Sequence, residues 1–167
     1  MANAYFAGGC FWCITPTFRE WKGVENVVSG YSGGMEENPT YEAVKGQLTS
    51  HRETIQIAYD PAQVSFETLL EVFLGGVDPF DAGGQFIDRG HSYTLAVYYL
   101  DEAQKMAAEA AIRALEAESG KQVFVAIEPF RNFYTAEEYH QNYDLKNPEA
   151  FRKELEESGR LDRANIL

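Results

Sequence analysis

A chain of 167 residues with 45% hydrophobic and 14% aromatic side chains can bury one real core, and its net charge of -12 excludes a surface that tracks phosphates, which needs clustered Lys and Arg. No stretch approaches the ~20 apolar residues of a membrane span, and no basic segment runs into an apolar signal core near Met1, so neither nucleic acid nor membrane is expected as a partner. Its two cysteines, Cys10 and Cys13, cannot staple distant parts of a secreted fold, which suits a cytoplasmic protein whose pair does chemistry.

In chain order, Asn3 to Ala7 reads as a short strand, Gly8-Gly9 as a tight turn and Phe11 onward as a helix. Pro16 removes a helical N–H, so a short turn is expected first, with the helix restarting near Thr15. Val24 to Tyr31 reads as a second strand running into the Ser32-Gly33-Gly34 loop, and Thr54 to Tyr59 as a period-two strand closed by Asp60-Pro61. Ser65 is a good N-cap for a helix with Phe66, Leu69, Leu70 and Phe73 on one face, Val64 stapling onto Leu69 and Gly75-Gly76 ending it. Asp78 to Gly90 reads as loop and Tyr93 to Leu100 as a central strand. Asp101 caps a long Ala-rich helix to about Glu118, stopped by Ser119-Gly120. A strand from Gln122 to Glu128 precedes Pro129, and the rest reads as loop and weak helix. No linker divides the chain, so residues 1–167 are expected to form one catalytic domain, an α+β sheet covered by helices.

The chemistry concentrates at Phe6-Ala7-Gly8-Gly9-Cys10-Phe11-Trp12-Cys13. A thiol attacks as thiolate, and a helix opening after the glycine turn would aim free N–H groups at the Cys10 sulfur and lower its pKa. Three readings fit a C-x-x-C pair here. One is a nucleophile with its resolving partner. A second is a thioredoxin-like disulfide oxidoreductase, although such enzymes usually place Trp before the first cysteine and small residues between the two. A third is a Cys2His2 metal module drawing on two of His51, His91 and His140, which are not paired on one turn. No phosphate loop, Ser-His-Asp order or dinucleotide fingerprint occurs, so no cofactor is implied.

Gly9-Cys10-Phe11-Trp12, Gly30-Tyr31-Ser32-Gly33-Gly34, Asn38-Pro39-Thr40-Tyr41, His51-Arg52-Glu53, Asp88-Arg89-Gly90 and the tail from Tyr139-His140-Gln141 to Pro148 together resemble the peptide methionine sulfoxide reductases of the A class, in order and spacing. The resemblance implies a ferredoxin-like α/β plait with long loops. It also implies reduction of methionine-(S)-sulfoxide, free or in peptides and proteins, with a thioredoxin-type reductant. By it Cys10 aligns with the nucleophile, Glu53 with the acid, Phe11 and Trp12 with the pocket for the substrate methyl group, and Tyr41, Asp88 and Tyr93 with the polar partners. The residue types suit the task, because a sulfoxide offers an electrophilic sulfur to a soft nucleophile and a basic oxygen to an acid. A carboxyl can serve as that acid at neutral pH when burial raises its pKa, and the aromatics around Glu53 would do so.

This chain departs from the family's pattern in two places. Many members carry glycine at the position of Cys13 and recycling cysteines in the tail, where this chain has none, so Cys13 or an external thiol must resolve the sulfenic acid on Cys10. The loop that usually reads Asp-x-Gly-Thr-Gln-Tyr-Arg-Ser is here Asp88-Arg89-Gly90-His91-Ser92-Tyr93-Thr94-Leu95.

Overall fold

The computed structural model describes residues 1–158 and 160. Its centre is β1 (Ala2–Gly8), flanked on both sides by antiparallel neighbours, β3 (Arg52–Tyr59) and β6 (Leu95–Tyr99). Beyond β3 lie β2 (Val24–Ser32) and the two-residue β8 (Tyr134–Thr135), and β7 (Val125–Pro129) runs parallel to β6 at the opposite edge. The order is therefore β7-β6-β1-β3-β2-β8. Strands β1, β2, β3 and β6 with helices α1 (Phe11–Arg19) and α3 (Phe66–Gly75) make a split βαβ plait, extended by α4 (Glu102–Ser119) and β7. The expected α+β class and mostly antiparallel, helix-covered sheet are present.

Period two along β1 divides the core between the faces of the sheet. Ala4 and Phe6 point toward α1, α3 and α4, where Phe6 stacks on Phe73 at 4.8 Å and meets Ile14, Phe18, Leu69 and Leu70 in one buried cluster. Tyr5 and Ala7 point the other way onto Ala96 and Tyr98, and Phe130 and Phe133 of the segment after β7 cover them. The caps expected from sequence hold the helices: Ser65 Oγ accepts from Thr68 N–H at 3.1 Å and Asp101 Oδ1 from Gln104 N–H at 2.9 Å, while Gly120 closes α4 in the left-handed region.

Several boundaries differ from expectation. Helix α1 runs through Pro16 without a break. Proline costs the helix the N–H that would bond Trp12 C=O, worth ~3 kcal/mol in a helix interior, but Phe11, Ile14 and Phe18 are buried by the same helix at ~1.5–3 kcal/mol each. Burial wins. The central strand begins at Leu95 and not Tyr93, because Tyr93 and Thr94 give their N–H groups to Gly90 and His91 in a short 3-10 turn. The last long strand begins at Val125 and not Gln122, since Val123 N–H goes to Glu116 and Phe124 N–H to Pro79 C=O. Within the expected loop, β4 (Gly84–Gln85) and β5 (Asp88–Arg89) form a small hairpin tied by Arg89 to Asp81. Three helices lie where no strong pattern was read: α2 (Tyr41–Lys45), α5 (Tyr143–Lys146) and α6 (Pro148–Ser158). Residues 159 and 161–167 of the expected domain lie outside the described residues.

Candidate active site

Cys10 sits at the N-cap position of α1, directly after β1 and the Gly8-Gly9 turn, and Cys13 N–H closes the first turn onto Cys10 C=O at 3.0 Å. Gly9 has φ of +82°, and a Cβ there would stand 2.7 Å from both Gln85 and the Arg160 guanidinium, so glycine is required on both counts. Both cysteines are free thiols, Cys10 buried and Cys13 half-buried.

The expectation that helix N–H groups lower the Cys10 pKa is corrected. The Phe11 N–H goes to Glu53 Oε1 at 3.2 Å instead. The neighbouring Cys13, burial, and the Glu53 and Asp88 charges together hold the Cys10 thiol well above the ordinary value. Cys13, beside Cys10 and within reach of the Arg160 charge, is held below the ordinary thiol value.

Glu53 lies on β3 with its neighbour Arg52 turned to the opposite face, where it meets Glu128, Tyr98 and Thr94. Its side chain is only 1% exposed and reaches the start of α1. Burial, with a further push from Asp88, outweighs the Phe11 N–H and the distant Lys45 charge, and the carboxyl is pushed up to about 8. At neutral pH it is an acid with a proton to give.

Two phenols stand near that carboxyl. Tyr93 is buried on the 3-10 turn, and Tyr41 half-buried at the start of α2; burial and the Glu53 charge raise both pKa values, so both are hydrogen-bond donors at any working pH. Neither hydroxyl has a hydrogen-bond partner among the described residues. Their loops are clasped together, since Gln47 just after α2 donates to Ser92 Oγ at 2.7 Å and accepts from Ser92 N–H at 3.1 Å. Asp88, on β5, is half-buried; burial raises its carboxyl pKa and the Arg160 and Lys45 charges oppose the shift.

Trp12 is fixed on three sides. Its Nε1–H donates to His140 Nδ1 at 3.1 Å, its ring stacks on Tyr143 at 3.9 Å, and Tyr41 lies 6.2 Å away. Phe11 packs on His140 at 5.2 Å and on Tyr31 at 5.9 Å. The structure therefore brings Cys10, Cys13, Glu53, Phe11, Trp12, Tyr41, Asp88 and Tyr93 to one end of the sheet.

The histidines do not make a metal site with the cysteines. His51 accepts from Gly34 N–H at its Nδ1 and bonds Glu36 C=O at 2.7 Å, His91 bonds Ser50 C=O, and His140 is taken by Trp12. No group of three or more potential ligands occurs among the described residues.

Two site residues escaped the sequence reading. Glu137 accepts from Tyr31 Oη at 2.8 Å and from Tyr41 N–H at 3.0 Å, and so sets where α2 begins. His140 belongs to the family-like tail and is a candidate metal ligand in the sequence, with no place in the pocket assigned to it; the signal for its real neighbours is its position in an aromatic tail between Tyr139 and Tyr143.

Comparison with known proteins bears directly on this arrangement. The family model described as peptide methionine sulfoxide reductase matches residues 2–165. The chain belongs to the peptide methionine sulfoxide reductase family. Among relatives of this reductase, the "Peptide methionine sulfoxide reductase MsrA" of Bacillus velezensis is 49% identical over 94% of this chain and 90% of its own length. The reduced form of Mxr1 from Saccharomyces cerevisiae overlays with a TM-score of 0.84 at 29% identity, covering 89% of this chain and 86% of Mxr1. Mxr1 in complex with Trx2 overlays at 0.59 with 21% identity, covering 85% of this chain and 84% of that one, and shares the fold.

Proposed function

We propose that this family member reduces methionine-(S)-sulfoxide, free or in proteins, to methionine with Cys10 as nucleophile and Glu53 as acid. Cys10 gives up its proton to solvent and attacks the substrate sulfur as thiolate while Glu53 protonates the sulfoxide oxygen. The oxygen then passes to the Cys10 sulfur as the substrate sulfur's bonds to oxygen and to Cys10 break, so that methionine leaves and Cys10 is left as a sulfenic acid. Cys13 attacks that sulfur, forming a Cys10–Cys13 disulfide and releasing water. The observation that carries the reading is the buried, proton-bearing Glu53 bound to the amide of the residue that follows Cys10.

The remaining residues follow from the same chemistry. Tyr41 and Tyr93 offer unpartnered hydroxyls to an oxygen that grows more negative as the sulfur is attacked. Phe11 and Trp12 supply aromatic surface for the sulfur and its methyl group. Asp88 keeps negative charge near Glu53 and so helps it stay protonated. The disulfide needs an external dithiol, and a thioredoxin-type protein is the partner proposed, as Trx2 is for Mxr1 in the solved complex. We place the protein in a reducing, cytoplasmic setting, where a free C-x-x-C pair persists, and among the described residues no helix is long and apolar enough to cross a membrane. We take residues 1–167 as a single catalytic domain.

A thioredoxin-like disulfide oxidoreductase explains the cysteine pair but leaves Glu53, Tyr41 and Tyr93 without a task, because a disulfide substrate has no oxygen to protonate. Turnover of the two sulfoxide epimers with dithiothreitol tests the choice. Reduction of the S epimer alone, lost in Cys10→Ser, is the expected result, and equal residual activity in Cys10→Ser would exclude it.

A further inference from the structure

The last described residue reaches back into the site. Arg160 is 7% exposed, and its guanidinium donates to Gly8 C=O at 3.0 Å and Gly76 C=O at 3.3 Å while lying 4.8 Å over the Phe86 ring. It fills the space against Gly9 that a side chain there would need. Its Nε is buried with no partner among the described residues, so the group is held for something other than a saturated set of hydrogen bonds. The guanidinium places a cation behind the turn that carries Cys10. The charged groups acting on Cys13 are Arg160, Asp88 and Glu154, of which, among the described residues, Arg160 alone is positive; Lys45 acts on Asp88 and Glu53 instead.

We propose that Arg160 is a positioning residue for the resolving step: it anchors the Gly8-Gly9-Cys10 turn and supplies the positive charge under which Cys13 attacks oxidised Cys10. The inference rests on Cys13 being the resolving thiol. In that step the Cys13 thiolate forms the S–S bond, the Cys10 S–O bond breaks, and hydroxide leaves to become water with one proton from solvent. Cys13 is oxidised and the sulfenic sulfur reduced. A cation at this place favours the thiolate that attacks, and two carboxylates, Asp88 and Glu154, oppose it. The shape of the turn and the charge can be separated, because lysine keeps the charge without the fork of donors.

The test has two readouts on the full chain. The pH midpoint of Cys13 alkylation is mapped by peptide mass spectrometry in wild type, Arg160→Met and Arg160→Lys. Single-turnover experiments with one equivalent of sulfoxide and no reductant then compare the rate of disulfide formation with that of methionine release. Arg160→Met is expected to raise the Cys13 midpoint by about one unit and to lower the ratio of the two rates roughly tenfold, with recovery at higher pH; Arg160→Lys recovers most of both. An unchanged midpoint and ratio in Arg160→Met, with Cys13→Ser unable to form the disulfide, overturns the inference and leaves Cys13 as resolver. Full thioredoxin-dependent turnover in Cys13→Ser with Arg160 intact overturns the resolving reading first and the inference with it.

Discussion

Glu53 keeps its proton because almost nothing nearby rewards losing it: the side chain is buried, Asp88 is negative, and the one strong donor is the Phe11 amide. Replacing it with Gln preserves shape and that hydrogen bond but removes the proton, so kcat for the S epimer should fall by ~10² to 10⁴ with an unchanged circular dichroism spectrum. The pH profile gives an independent check. Wild-type kcat should decline as pH rises through about 8, where Glu53 ionises, and that limb should be missing in Glu53→Gln. A limb that survives the substitution contradicts Glu53 as its origin, and near wild-type kcat in Glu53→Gln would move the proton source to Tyr41 or Tyr93. Cys10 was legible in the sequence as a thiol after a glycine turn, whereas Glu53 stood out through the family resemblance of His51-Arg52-Glu53, since a carboxyl at the start of an alternating strand by itself reads as solvated. Arg160 and Glu137 were not legible, since a charged residue in a polar tail looks solvated until the fold shows what it lies against.

Among the elements, α2 is the most dependent on local detail. It has five residues, too few to hold by propensity, and its start is set by Thr40 Oγ1 accepting from Ala43 N–H at 3.2 Å and by Glu137 accepting from Tyr41 N–H. Thr40→Ala should cost ~1 kcal/mol of stability and, by loosening Tyr41, raise KM more than it lowers kcat. Thermal melts and steady-state kinetics read the two effects separately, and a kinetic change confined to kcat would contradict the positioning role. The helices with strong apolar faces and caps, α3 and α4, could be read from the chain, whereas α2 and the turn bearing Tyr93 are held by distant partners, Glu137 and Gln47 to Ser92. Pro16 shows the opposite error. A local rule predicted a break in α1, and burial of Phe11, Ile14 and Phe18 outweighed it.

Across the whole molecule, the sheet and its two faces were foreseeable from period-two strands, but its order required long-range pairing that no single segment encodes. Phe6 joins β1 to α1 and α3, and Phe6→Ala should destabilise the fold by ~3–5 kcal/mol, seen in urea unfolding. Glu53 also links the site to global stability. Between the unfolded carboxyl value of ~4.3 and about 8, the folded chain holds a proton that the unfolded chain has released, so its contribution is whole below that lower value and is lost as pH rises through about 8. Unfolding experiments should show wild type losing stability across that window relative to Glu53→Gln; parallel profiles would mean that Glu53 is charged in the fold.

The central claim, that Cys10 takes the oxygen and Cys13 removes it, is tested most directly by intact mass spectrometry after one equivalent of methionine-(S)-sulfoxide without reductant. Wild type should lose two hydrogens and show a Cys10–Cys13 link, and Cys13→Ser should gain one oxygen on Cys10, release methionine once, and stall with thioredoxin. An unchanged wild-type mass after methionine has been released, or full thioredoxin-dependent turnover by Cys13→Ser, would contradict it.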